Sequence, residues 1–268
     1  MHRWMRNACM LLLILLLASP ALAGDTVTQI RQHAGGHRLL VLGEFHGTRE
    51  TPLLVRQLVD DYSRDGAPVV LALELPRGEN RLLADYLDSS GDVRARDALR
   101  TSRFWTVRDD QHDGRRSHDM LDLIEAVRVL KKQGRNVSLL GYDVDSGNGN
   151  NQTRDDAMAL ELRRAYQLLP EDGKMLVLAG NVHAMRRRPA DAPKEMQQRP
   201  MASQLLDLDL YSIRLEALKG EFWACLSRCQ RLPLRDQQVR VPDAESAADR
   251  MYDLVVWLPQ FSVGRLLD

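Results

Sequence analysis

The chain has 268 residues in which 37 Lys and Arg balance 37 Asp and Glu, so there is no global field to recruit nucleic acid or anionic lipid. Hydrophobic residues make up 44% of it and fall in clear blocks, with no internal repeat and no long low-complexity linker. That excludes a disordered chain and fits one α/β domain.

Arg3 and Arg6, the apolar stretch Cys9 to Ala18, and Ala21-Leu22-Ala23 before Gly24 predict a secretory signal peptide over residues 1–23, cut after Ala23. The stretch is too short to span a bilayer, and no later segment approaches the run of about 20 apolar residues that a span requires. Gly24 stands where a lipoprotein would carry its cysteine, so no lipid anchor is expected there. A periplasmic or secreted domain over residues 24–268 follows. The mature chain keeps Cys225 and Cys229, and in an oxidising compartment this pair predicts a local structural disulfide.

In chain order, Arg38 to Leu42 reads as a strand buried on both faces, followed by the loop Gly43 to Glu50. Thr51 is expected to cap a helix with Pro52 at its first position and Leu53, Leu54, Leu58 and Val59 at helical spacing, ending at Gly66. Val69 to Leu73 is the second strand, with Glu74 at its tip, and Gly78 to Leu87 starts another helix. Residues 88–118 are dense in Arg and Asp around Phe104 and Trp105, which predicts a charged insertion over the sheet rim anchored by those aromatics. Met120 to Gln133 restores helical periodicity. Val137 to Leu140 is the third strand, carrying Gly141, Tyr142 and Asp143 at its end. After the turn-rich loop Asp145 to Gln152, Thr153 is expected to cap a helix from Arg154 to Leu169, with Asp155 and Asp156 favourable against its dipole. Met175 to Leu178 is the fourth strand, and Tyr211 to Leu215 and Leu254 to Leu258 are further strands. The fold class is therefore α/β, a mainly parallel central sheet flanked by helices.

The strand ends carry Glu44 and His46, then Glu74, then Asp143, then Asn181 and His183. Ligands and chemistry in open α/β sheets gather outside the strand carboxyl ends. The candidate catalytic set is His46, Glu74, Glu44 and His183, with Asn181, Asp143 and Tyr142 as candidate ligand-binding residues. A carboxylate and a histidine within hydrogen-bond reach form the usual general-base unit, so His46 with Glu74 is expected to activate water, Glu44 to orient the imidazole and His183 to polarise the scissile group. A divalent zinc, manganese or cobalt ion would instead take Glu44, His46 and His183 as ligands and leave Glu74 as the base. His33 and His37 are expected to face solvent; His112 and His118 are expected at a solvated surface, with closure over the rim as the alternative, and the run Arg186 to Arg188 on a solvated face, with attraction of an anionic substrate group as the alternative.

Leu42-Gly43-Glu44-Phe45-His46-Gly47-Thr48, the tip Glu74, and Leu178-Ala179-Gly180-Asn181-Val182-His183-Ala184 together resemble the superfamily that joins erythromycin esterases, ChaN-like haem-uptake proteins and Tiki/TraB proteins. The look is closest to the ChaN-like branch and covers about residues 38–187. The resemblance implies a parallel α/β core with a polar site at the strand tips. Tiki-like members, regarded as metal-dependent proteases, carry a Gly-x-x-His motif matched by Gly43 and His46 and a Gly-Asn-x-His motif matched by Gly180 to His183. Esterase-like members use the residues matching Glu44, His46 and Glu74 for water-mediated hydrolysis. ChaN-like members bind haem, which here would take His46 or His183 as axial ligand and pair its propionates with the Arg-rich insertion. The chain lacks the long helical remainder of erythromycin esterases and shows no extra haem ligand near His46. Two functions are thus expected: an exported hydrolase acting on a small-molecule or peptide substrate, and a haem or iron-binding uptake protein without catalytic activity.

Overall fold

Alternation along the strands and helical spacing between them sort the chain into three layers. The computed structural model describes residues 20–106, 112–144, 150–188, 192, 197–225, 227–234 and 250–267, with side chains from residue 25 onward. Its elements are α1 (Pro20–Ala34), β1 (Leu39–Glu44), α2 (Glu50–Tyr62), β2 (Val69–Pro76), α3 (Asn80–Asp88), α4 (Val93–Leu99), α5 (His118–Lys132), β3 (Val137–Asp143), α6 (Asn151–Gln167), β4 (Lys174–Gly180), β5 (Leu210–Ala217), β6 (Gly220–Cys225), β7 (Cys229–Leu234) and β8 (Leu254–Leu258).

Six strands form one sheet in the order β3-β2-β4-β1-β5-β8, and every neighbouring pair is parallel. Successive residues of a strand point to opposite faces. Leu40 and Leu42 accordingly join a core with Leu58 of α2 and Ile124 of α5, while Leu39 and Val41 join a second core with Met158 and Leu162 of α6. Both faces are covered, which is why β1 reads as a continuous apolar run. From β1 the chain moves outward to β2 and β3, then returns to lay β4 between β2 and β1. The carboxyl ends of β2, β4 and β1 thus meet where the order reverses, the position at which such sheets bind ligands.

The expected strands are all present, but β2 runs on through Glu74 to Pro76 and β3 through Asp143, so these carboxylates sit on strand backbone. Two expected caps are corrected. Arg49 precedes α2 without a side-chain cap, and Thr51 lies inside the first turn, where its hydroxyl accepts from Thr48 Oγ1 at 3.0 Å. Asn150 caps α6, accepting the Thr153 N–H at 2.9 Å. Leu53 faces outward rather than into the core. Helix α1 was not legible in the sequence. It runs across the expected cleavage site, and residues 1–19 lie outside the described residues. No described helix is long and apolar enough to cross a membrane.

The charged insertion does reach the rim. Trp105 is buried and donates Nε1–H to Glu79 at 3.2 Å, tying the insertion to the start of α3. Gly114, at φ +92°, packs on Gly47, at φ +66°, so closely that a Cβ on Gly114 would meet the Gly47 Cα at 2.8 Å. Only glycine tolerates that backbone-on-backbone approach at positive φ. His118 is exposed as expected, whereas His112 is buried, with Nδ1 accepting the Gly114 N–H at 3.1 Å and its carbonyl accepting Trp223 Nε1–H at 2.6 Å. Burial of His112 follows from its place in the closing turn of the insertion, which a reading of local polarity misses. Strands β6 and β7 form a separate antiparallel hairpin, and the disulfide between Cys225 and Cys229 joins its last register pair.

Candidate functional site

β1 ends at Glu44 and the chain turns at Phe45, which brings His46 back over the strand tip. His46 Nδ1 and Glu44 Oε1 are 2.9 Å apart, and Nε2 lies 3.6 Å from Glu74 Oε1 on β2. Both carboxylates are buried at 5% exposure. Between them runs the end of β4, where the Gly180 N–H donates to Glu74 Oε2 at 2.7 Å and the Asn181 N–H donates to the Glu44 carbonyl at 2.9 Å. A Cβ at position 180 would come within 3.0 Å of His46 Nε2, so glycine is needed for the imidazole to lie against the strand.

Charge decides the protonation of this group. Burial works against a cation at His46, but the Glu74 charge and the Glu44 hydrogen bond outweigh it and push the imidazole up to about 10. Glu44 is pushed up by burial, against the pull of His46. Glu74 is held well below the usual carboxylate range, because the His46 charge and hydrogen bond and the Arg154 charge work against its burial. At neutral pH His46 is therefore an imidazolium between two carboxylates. Nδ1–H is committed to Glu44, while 3.6 Å is too long for a hydrogen bond to Glu74 and leaves Nε2–H able to donate to a ligand.

Two arginines complete the rim. Arg115, from the insertion, donates through Nη1 to Asp143 Oδ2 and the Glu74 carbonyl, both at 2.9 Å, and through Nη2 to Asp113 at 2.6 Å. Arg154, from the first turn of α6, donates Nη2 to Glu74 Oε1 at 2.5 Å and to Asp143 Oδ2 at 2.8 Å, Nε to Asp143 Oδ1 at 2.9 Å and Nη1 to His183 Nε2 at 3.0 Å. Burial disfavours both guanidinium charges, yet the surrounding carboxylates raise both arginines above their ordinary range. Arg115 and Arg116 in turn outweigh desolvation and hold the half-buried Asp113 well below the usual carboxylate range. His183 Nδ1 is paired with the fully buried Asp155 Oδ1 at 2.8 Å.

These groups border a cleft of about 370 Å³ with a polar wall of Glu44, His46, Glu74, Arg115, Arg154 and His183. Its opposite wall is Phe222, Trp223 and Cys225 of β6, held in place by the Phe45 ring 4.8 Å from Phe222. Among the residues expected from sequence, Glu44, His46, Glu74, Asn181 and His183 come together along this cleft. Tyr142 and Asp143 do not. Tyr142 is fully buried and donates its hydroxyl to the Leu178 carbonyl at 2.8 Å, because it falls on the inward face of β3. Asp143 lies behind the rim, where it holds the two arginines. Arg186, outside the cleft, pairs with Asp253.

The expected metal set does not assemble. His46 Nδ1 is committed to Glu44, and His183 presents its two nitrogens to Asp155 and Arg154. Among the described residues no group of three His, Cys, Asp or Glu side chains is arranged to hold a metal ion. Two guanidiniums beside Glu74 would also repel a divalent cation. Arg115, Arg154, Asp113 and Asp155 were missed as site residues. Arg115 and Asp113 were lost in an insertion rich in the same residue types. Asp155 carried a readable signal, because Asp155, Met158, Ala159 and Leu162 share the buried stripe of α6.

No family model and no curated protein matches the sequence. Solved structures do match it in fold. A protein from Bacillus cereus superposes with a TM-score of 0.61 at 12% identity, covering 92% of this chain and 94% of that one. A mutant of the erythromycin esterase EreC in its open conformation superposes with a TM-score of 0.54 at 14% identity, covering 73% of this chain and 74% of that one. The chain has the erythromycin esterase-like fold. The haem-binding ChaN of Campylobacter jejuni aligns at a TM-score of 0.41 and 14% identity over 72% of this chain and 85% of its own. In this erythromycin esterase-like fold, the cleft lies outside the carboxyl ends of β1, β2 and β4.

Proposed function

We propose that this protein is an exported hydrolase that transfers the acyl group of an ester or amide to water, acting on a small-molecule or peptide substrate in the cleft beside His46. The observation that carries this reading is the His46 ring set between two buried carboxylates, 2.9 Å from Glu44 and 3.6 Å from Glu74, on the wall of an open cleft, where those carboxylates push it up to about 10 against its burial. Such a group is already protonated, so it cannot be the resting base. It is suited instead to donate to the carbonyl oxygen and to protonate the leaving group, at a site where the charge costs no reorganisation. Glu44 and Glu74 hold the imidazole in that state, and Arg154 holds Glu74. The fold supports this reading, since a solved relative in fold is an erythromycin esterase.

The test is hydrolysis by the mature protein of p-nitrophenyl esters and of a peptide library, beside His46→Gln. The variant removes the cation and keeps a polar side chain of similar length. It is expected to lower kcat by about 10²–10⁴-fold, the usual worth of a positioned acid. Full activity in His46→Gln contradicts the assignment.

A further inference from the structure

The cleft holds a second carboxylate–histidine pair, Asp155 with His183, 2.8 Å apart, which the hydrolase reading leaves without a role. We propose that Asp155 is a positioning residue that holds His183 as the Nδ1–H tautomer, with its Nε2 lone pair turned to the cleft as the proton acceptor of the reaction. This rests on the hydrolase reading and adds to it a second carboxylate–histidine pair on the far side of the scissile bond.

The hydrogen bonds define the tautomer. Arg154 can only donate, so its Nη1, 3.0 Å from His183 Nε2, requires that nitrogen to accept. The proton is then on Nδ1, where Asp155 Oδ1 receives it at 2.8 Å. Asp155 is buried to 0% exposure, and the same oxygen also accepts the Met201 N–H at 2.7 Å. The Ala202 N–H donates to the His183 carbonyl at 2.9 Å, so the ring and its carboxylate are pinned by one short segment. Asp155 Oδ2 is buried with no hydrogen-bond partner. A buried carboxylate so sparsely satisfied gains most when the imidazole beside it becomes a cation, which is the state that proton abstraction creates.

In the resting site Arg154 Nη1 occupies the Nε2 lone pair. A water that takes this place leaves Arg154 anchored to Asp143 and Glu74 through Nε and Nη2. The step then balances within the site. The water O–H bond breaks and its proton forms the Nε2–H bond of His183. The water oxygen bonds the acyl carbon, and the carbonyl π electrons move to the oxygen facing His46. On collapse the leaving group departs with its bonding pair and takes the Nε2 proton of His46. Transfer of the His183 proton back to His46 through solvent restores the starting state.

Asp155→Asn tests this, because its side-chain carbonyl can still accept from Met201 and only the charge is lost. In ¹⁵N-edited spectra of the mature protein, His183 is expected as the neutral Nδ1–H tautomer in the wild type, with an added Nε2–H population in Asp155→Asn. With a p-nitrophenyl ester, kcat is expected to fall about 10²–10⁴-fold while KM stays within about twofold, as in proteases whose triad carboxylate is replaced by an amide. A wild-type His183 found as imidazolium or as the Nε2–H tautomer overturns the proposal, as does an Asp155→Asn variant with full kcat. If the wild type hydrolyses no probe, the hydrolase reading fails, and the tautomer measurement still decides whether Asp155 sets the state of His183.

Discussion

Two histidines face one cleft, and what surrounds each ring differs. His46 lies between two buried carboxylates and is held as a cation. His183 has one carboxylate and an arginine that can only donate, which makes it an acceptor. The charged state of His46 also ties stability to pH. A histidine raised from 6.5 to about 10 by folding contributes stability that is fully present below 6.5 and lost progressively as pH rises through about 10. The melting temperature is therefore expected to decline between pH 7 and 10, and His46→Gln is expected to flatten that decline. An equal slope in the two proteins would contradict the assignment. Glu44, His46, Glu74 and His183 were legible because each follows an apolar run that could only be a buried strand. Their pairing was not legible, because Arg115 and Arg154 arrive from an insertion and a helix start whose reach depends on tertiary packing.

At the scale of elements, the cleft is made by a parallel sheet on one side and by the β6–β7 hairpin on the other. The hairpin contributes little core of its own. It is held by Phe222 against Phe45, by Trp223 against the His112 carbonyl, and by the disulfide across its last pair. Closing so short a loop stabilises by about 2 kcal/mol at most in the chain-entropy model. Replacing Cys225 and Cys229 by serine is therefore expected to lower unfolding free energy by no more than about 2 kcal/mol in chemical denaturation, while raising KM through a looser cleft wall. A large stability loss with unchanged KM would mean that the hairpin braces the domain and does not shape the cleft. The six strands of the main sheet and helices α2, α3, α5 and α6 were readable from apolar blocks and their spacing, whereas α1 and α4 were not. The hairpin was not, because Gly220 to Leu234 has no continuous apolar face in sequence and packs on Phe45, just past β1, and on His112 of the insertion.

For the whole molecule, the return of the chain to lay β4 between β2 and β1 is what makes a site of separate motifs. It sets Gly180 against His46 and brings the tip of β2 to the same rim. The proposed export follows from residues 1–23 and predicts that the processed chain is recovered outside the cytoplasm on cell fractionation, with an N-terminus at Gly24. Recovery of only unprocessed chain inside the cell would contradict it. The central claim, an imidazolium held between two carboxylates beside an open cleft, is tested most directly by a ¹⁵N NMR pH titration of the His46 ring in the mature protein. The account predicts that His46 remains doubly protonated until the pH approaches about 10. Titration near 6.5, as for a solvated histidine, would contradict it.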